Sequence, residues 1–413
     1  MRPLLFNSLL TLSLLAASSA AFAFDNDYEI NDINLNEENF LDIKAHRFRK
    51  SLDYKWYDSN NGWRMNGASL DGDLAFLQTE IKLQSEVSEH LNVRLELEQE
   101  VFYADKDMPF PTVEVELYPF ATSRWASNGW AGDIGFSLLG APAYEKRDMD
   151  VGAAVIFGRR PWDFTRLEYV QIDSMYNEKN SVDNSYYEKQ PRTLKLHGAY
   201  QFGERYKFRY SLKREDDLEL IDPDTGSRFT HKGNSYSLLL DYQPTPETVW
   251  GITLDGFNLD KSKAETGYSQ QQATEYISTD IYWVNGMGQT YEIRVGTQYD
   301  YITNSLRDYV DQNNDLEYHM STLQLYTSAY HPFNEHMAWD LGLYVGDVEE
   351  QQNYLYDNSR DTLNDGIQAK LRMGFVYSSS DGRSALQFNI SLNLDDPVND
   401  PGDGGGLSFQ TVF

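Results

Sequence analysis

Residues 75–87 place Ala75, Leu77, Thr79, Ile81, Leu83, Ser85 and Val87 on one side of an extended chain and Phe76, Gln78, Glu80, Lys82, Gln84 and Glu86 on the other. A β-strand turns successive side chains to opposite faces, so this alternation predicts a strand with one apolar and one polar surface. The pattern recurs in 91–103, where Leu91, Val93, Leu95, Leu97 and Val101 alternate with Asn92, Arg94, Glu96, Glu98 and Glu100. It returns at Tyr206, Phe208, Tyr210 and Leu212, at Tyr291, Ile293, Val295, Thr297, Tyr299 and Tyr301, and again in 367–375 and 386–394. Such a chain folds as sheet, and what its apolar faces meet decides its class.

Two things they can meet are a soluble core and a lipid bilayer. After residue 23 no apolar run is long enough for a membrane helix. Transmembrane strands need apolar side chains only at every second position over about 9–11 residues, so hydropathy averages miss them. The start of the chain favours export. Arg2 precedes an apolar core over 4–17, and Ala21-Phe22-Ala23 supplies the small-x-small pattern of a signal-peptidase site. We therefore expect a signal peptide at 1–23 and a mature start at Phe24.

Read for alternation throughout, the chain yields about eighteen strands, with sixteen as the alternative count, in the manner of a transmembrane barrel. They are expected at 51–58, 73–87, 91–104, 112–119, 130–140, 150–160, 162–174, 192–202, 205–214, 233–242, 247–259, 271–284, 289–303, 318–330, 336–350, 364–377, 383–395 and 406–413. Connections after even-numbered strands are short, such as Ser88-Glu89-His90 and Gly203-Glu204. Those after odd-numbered strands, 59–72, 175–191, 215–232, 260–270, 304–317, 351–363 and 396–405, are longer and polar. Short turns opposite long loops is the asymmetry of outer-membrane barrels, periplasmic against extracellular. A soluble sandwich or propeller would show strands of about 5–6 residues or a repeat of roughly 40–50 residues; the segments here are longer and show no such repeat. The expected fold is an all-β, antiparallel transmembrane β-barrel over 51–413, preceded by an acidic lead or partial plug at 24–50.

Composition narrows the function. Asp and Glu total 64 against 35 Lys and Arg, a net charge of −29, and there is no cysteine. The acidity opposes a nucleic-acid partner. The missing thiols exclude disulfides, Cys-based metal sites and a cysteine nucleophile. The seven histidines (His46, His90, His197, His231, His319, His331 and His336) stand in no recognisable nucleophile or metal motif. His231 beside the acidic run Glu215, Asp216, Asp217, Glu219, Asp222 and Asp224 is the nearest approach to a protease-like pairing, and no enzyme is expected. No cofactor is expected beyond loosely held divalent cations at acidic loops. The weak candidates are Asp395, Asp396, Asp400 and Asp403, whose spacing lacks the order of a calcium loop.

If the apolar faces meet lipid, the polar faces line a lumen. That face carries an acidic wall of Glu80, Glu96, Glu98, Glu100, Glu114 and Glu116, relieved by Lys82 and Arg94. A basic wall is formed by Lys195, His197, Lys207, Arg209, Lys213, Arg294, Lys370 and Arg372. Two outcomes are open: opposed walls that sort hydrated solutes by a transverse field, or charges that pair and stabilise the barrel. At the chain end Leu407, Phe409, Thr411 and Phe413 share one face of a final strand. Leu407, Phe409 and the terminal Phe413 resemble the signal that outer-membrane barrels present to their assembly machinery, with Thr411 departing from the pattern.

The whole mature chain looks like a porin-class outer-membrane barrel. The strand count, the acidic lead and the turn Phe157-Gly158-Arg159-Arg160 resemble the alginate-export family of large barrels. That resemblance implies a barrel and a transport role, with a lysine- and arginine-rich constriction where an anionic polysaccharide is carried. The expected function is an outer-membrane channel for small or polymeric hydrophilic or charged solutes, by diffusion or as the outer portal of an export system. A surface adhesin or scaffold barrel with a closed pore is the alternative. Expected partners are outer-membrane lipid, lipopolysaccharide, the barrel assembly machinery and the solute.

Overall fold

The computed structural model describes residues 49–70, 73–102, 112–118, 133–143, 148–174, 185–265, 268–309, 315–355, 359–395 and 402–413. The expected signal peptide and all of the acidic lead up to residue 48 lie outside them. Among the described residues one helix, α1 (Lys50–Asp58), is followed by eighteen antiparallel staves. These are β1 (Gly62–Leu70), β2 (Asp73–Ser88), β3 (Leu91–Phe102), β4 (Thr112–Leu117), β5 (Ile134–Ala143), β6 (Asp148–Gly158) and β7 (Phe164–Gln171). β8 has two segments, Tyr186–Lys189 and Arg192–Phe202, which both pair with the next strand on either side of Gln190-Pro191. The others are β9 (Tyr206–Asp222), β10 (Ser227–Thr245), β11 (Thr248–Glu265), β12 (Tyr268–Asn285), β13 (Glu292–Asp308), β14 (Leu316–Pro332), β15 (Met337–Tyr354), β16 (Ser359–Ser378), β17 (Ser384–Asn393) and β18 (Gly402–Val412). Each pairs with its sequence neighbours, and β1 pairs with β18 from Gly62↔Val412 to Ser69↔Gly405, so the sheet closes on itself. Closure leaves no unpaired edge, which is what a sheet in lipid requires.

The alternation sorts as a lipid-facing wall demands. Along β15, Trp339, Leu341, Leu343 and Val345 point outward and are exposed, while Ala338, Asp340, Gly342, Tyr344 and Gly346 point inward and are buried. Along β17, Leu386, Phe388 and Ile390 face out while Gln387, Asn389 and Ser391 face in. Leu325, Leu138 and Ile367 are 66%, 72% and 73% exposed, a state that water would penalise and lipid favours. Aromatics gather at the strand ends nearest the chain terminus: Phe202, Tyr206, Trp250, Tyr291, Trp339, Tyr377 and Phe413 are exposed there. They form the interfacial girdle typical of such barrels. The chain is an integral β-barrel of the outer membrane.

Two sequence expectations are corrected. Residues 51–58 are helix, not strand, and 59–72, expected as loop, contains β1. Leu52, Tyr54 and Trp56 mimic period two, but β1–β18 pairing leaves no sheet edge for this segment, so it must satisfy its own backbone as a helix. β1 escapes notice because Asn61-Gly62 and Asn66-Gly67 read as turns. The long polar connections are also built differently from simple loops. Much of 215–232, 260–270 and 351–363 continues as strand, β16 alone running 20 residues. That is about ten more than a bilayer needs, so these hairpins stand above the membrane.

Candidate functional site at the periplasmic mouth

α1 lies inside the barrel at the end where the chain terminates, the periplasmic end by the usual placement of turns. Lys50, Leu52, Asp53, Tyr54 and Trp56 are all buried while Lys55 and Asp58 are exposed, so the buried face mixes charged with apolar side chains. Leu52 packs with Ala338, Val376 and Ala385 of β15, β16 and β17. Tyr54 packs opposite, with Val249, Tyr282, Val284, Tyr326 and Tyr344. Trp56 sits over Gly62, where a Cβ would come within 2.7 Å of the indole and 2.8 Å of the Thr411 carbonyl. Only glycine lets the helix approach β1 so closely.

Polar contacts carry the helix across the mouth. Lys50 Nζ is 2.7 Å from Asp241 Oδ2 on β10 and donates to Tyr282 OH on β12 at 2.8 Å, while its backbone N–H donates to Glu292 on β13 at 2.7 Å. Burial alone would lower the Lys50 ammonium, but Asp241 opposite, together with Tyr54 and Asp53, raises the group above the ordinary lysine range. Arg64 of β1 pairs with Asp53 at 2.8 Å, and Gln410 of β18 donates to the Leu52 carbonyl at 2.8 Å. Lys82 of β2 donates to the Trp56 carbonyl, and Lys55 donates to the Gly382 carbonyl at 2.7 Å. Asp58 accepts from Trp162 Nε1 at 2.8 Å and lies 3.4 Å from Lys207 Nζ on β9. Strands on opposite sides of the barrel are thus tied to one short helix.

The sector from β3 to β8, which α1 meets at Trp162 of the β6–β7 turn, holds a dense charge cluster. Arg166 of β7 donates to Glu114 of β4 at 2.6 Å, lies 2.9 Å from Glu168, and lies 3.8 Å from Glu116. Glu96 lies 3.2 Å from Arg94 and 3.5 Å from Arg160 of the β6–β7 turn. Burial, then the neighbouring Arg94, lower Arg160 below the ordinary guanidinium value. His197 is near this group, its Nε2 buried without a hydrogen-bond partner.

Arg294 lies 2.6 Å from Asp280, and Arg372 lies 2.9 Å from Asp340. Lys207 and Arg209 meet at α1, while Lys213 lies 2.5 Å from Glu215 farther up β9. Lys195 and Lys370 point inward beside other groups. Glu80 is half-buried near Arg64. Glu98 and Glu100 are on β3, their side chains outside the described set. Carboxylates and cations therefore interleave on both sides of the lumen. Arg166, which pairs three glutamates, went unread because the alternation around it is weak; the inward phase of Phe164, Arg166 and Glu168 was the available signal.

At the seam, Leu407 and Phe413 face outward, and Phe409 stacks edge-on with Trp63 at 5.0 Å. Of the loop aspartates, Asp395 accepts from the Ala369 N–H at 3.3 Å, Asp403 lies in β18 with its side chain outside the described set, and Asp396 and Asp400 lie outside the described residues. His231 lies 3.1 Å from Glu215 on the β9–β10 hairpin. Among the described residues no cluster of three or more His, Asp or Glu is placed to hold a metal ion.

No family model and no curated protein sequence matches the chain. Among solved structures it is similar to trimeric OmpT of Vibrio cholerae, at 9% identity over 85% of this chain and 97% of that one, with a TM-score of 0.38. It is similar to OccK2 (OpdF) of Pseudomonas aeruginosa at 12% identity, 86% and 97% coverage and a TM-score of 0.38. A bacterial polysaccharide outer membrane secretin matches at 11% identity, 86% and 99% coverage and a TM-score of 0.35.

Proposed function

We propose that this barrel is a gated channel for hydrophilic, charged solutes, with α1 as the obstruction at its periplasmic mouth. The observation that carries this reading is the inner wall. Thr253, Ser278, Thr322, Asn389, Ser391 and Ser408 point inward from five strands, and their side-chain polar atoms have no protein partner. Among the described residues these groups are shielded from solvent and unbonded, a costly state in a dry core that water entering an opened lumen would relieve. An interior of this strand number is also too wide for side chains alone to fill. Passive diffusion and service as the outer portal of an export system would use the same lumen, and neither involves covalent chemistry. Lipopolysaccharide around the outer face, and recognition of Leu407, Phe409 and Phe413 by the assembly machinery, belong to the same reading.

Single-channel recording in planar bilayers tests it. The full chain should give small or infrequent steps, and a chain whose mature part begins at Ser59 should give larger, steady ones. Silence from both would favour a closed surface-interaction barrel, for which the tall hairpins would be the working part.

A further inference from the structure

Among the described residues no carboxylate lies within ion-pair distance of Arg209, although Asp58 is close by. The Arg209 guanidinium lies over two rings, 3.4 Å from the Tyr57 centroid and 4.3 Å from that of Trp162. Its Nε and Nη2 are buried and have no hydrogen-bond partner. Beside it, one carboxylate oxygen serves two donors: Asp58 Oδ1 takes the Trp162 indole N–H at 2.8 Å and faces Lys207 Nζ at 3.4 Å. Lys207 is itself held over the Tyr54 ring at 3.9 Å. The cations are thus fixed by aromatic faces, while Asp58, the last residue of α1, is 51% exposed. One cation and an indole donor thus share one half-exposed anion, and a second cation beside them makes no ion pair with it.

We propose that Lys207, Arg209 and Trp162 form a binding site for an oxyanion, the carboxylate, sulfate or phosphate group of a solute, and that Asp58 occupies it as a tethered stand-in. A guanidinium fork is matched to two oxygens at once, and the helix end supplies only one, to other donors. A free oxyanion can take the unused guanidinium donors as well as those Asp58 now holds. Its arrival competes with Asp58 and removes one of the contacts that seat the C-terminal end of α1. Ligand and seated helix are then mutually exclusive at this point, and each weakens the other by the same factor. The link to gating rests on the channel reading; the binding site does not.

Calorimetric titration of the full chain in detergent, at constant ionic strength, tests the site with sulfate, inorganic phosphate and glucuronate as probes and glucose as the neutral control. At least one oxyanion should bind and glucose should not. Arg209→Gln should weaken binding about ten-fold or more, as expected for losing a charged hydrogen-bond donor. Asp58→Asn should tighten it about two- to five-fold, the strength of an exposed ion pair removed from competition. Heat-modifiable electrophoretic mobility identifies folded barrel in each case, and the half-exposed Asp58 variant decides the matter if the arginine variant does not fold. Equal binding of glucose and glucuronate, or an Asp58→Asn variant that binds no tighter, overturns the proposal. Binding without conductance would sink the channel and keep the site; conductance without binding would do the reverse.

Discussion

The ammonium of Lys50 lies 2.7 Å from the carboxylate of Asp241, and both side chains are almost wholly shielded from solvent. Removing one member of a buried pair strands the other, at a cost of about 3–5 kcal/mol. Asp241→Asn should therefore loosen α1 while the strand ladder stays intact. Trypsin cleavage after Lys50 in folded barrel should become fast, whereas the double change Lys50→Met with Asp241→Leu should restore protection of the neighbouring Lys55. Unchanged cleavage in Asp241→Asn would mean that the pair does not hold the helix.

Trp56 over Gly62 makes a second prediction. A methyl group at 62 meets the indole at 2.7 Å, and such overpacking costs typically about 1–3 kcal/mol. Gly62→Ala should lower the urea midpoint, and the Gly62→Ala, Trp56→Ala double variant should lose less than the sum of the two single losses, because residues in contact are not additive. Simple additivity in that cycle would show the contact to be energetically idle.

On the lipid side, Leu341 is in the middle of the outward run of β15. Arginine there should cost about 2–4 kcal/mol in refolding into liposomes, the penalty for a cation near the bilayer midplane. The same change at Val87, at the periplasmic end of β2, should cost about 0–1 kcal/mol. Equal penalties would place the apolar belt elsewhere.

Arg166 is the counter-charge for Glu114 and Glu168 and approaches Glu116. Arg166→Met should destabilise the barrel by about 3–5 kcal/mol, since it leaves carboxylates buried and unpaired. Combining it with Glu114→Gln should return much of that loss, as read by denaturant unfolding. A double variant no better than the single one would remove Glu114 from the pairing.

The barrel was legible because lipid imposes the simplest rule a sequence can carry: every second residue apolar, as at Leu341, Leu343 and Val345. Where that rule lapses, so does legibility. Above the membrane both faces of a strand meet water, so Asp216, Lys232 and Asp260 show no period although they lie in β9, β10 and β11. The helix was read as strand because its enclosure buries Leu52, Tyr54 and Trp56 together with Lys50 and Asp53, erasing the amphipathic stripe. Of the candidate site, Lys207 and Arg209 were visible as inward cations. Tyr57, Asp58 and Trp162 were not, because their meeting depends on the helix crossing the lumen rather than on any local pattern.

Only Ser59, Asn60 and Asn61 separate α1 from β1, and α1 is bonded to both members of the closing seam, through Arg64 on β1 and Gln410 on β18. The first strand cannot join the last without carrying the helix to the threshold of the lumen. Pairing of the last strand with the first therefore also seats α1, so that the step that closes the sheet is the step that fills its mouth.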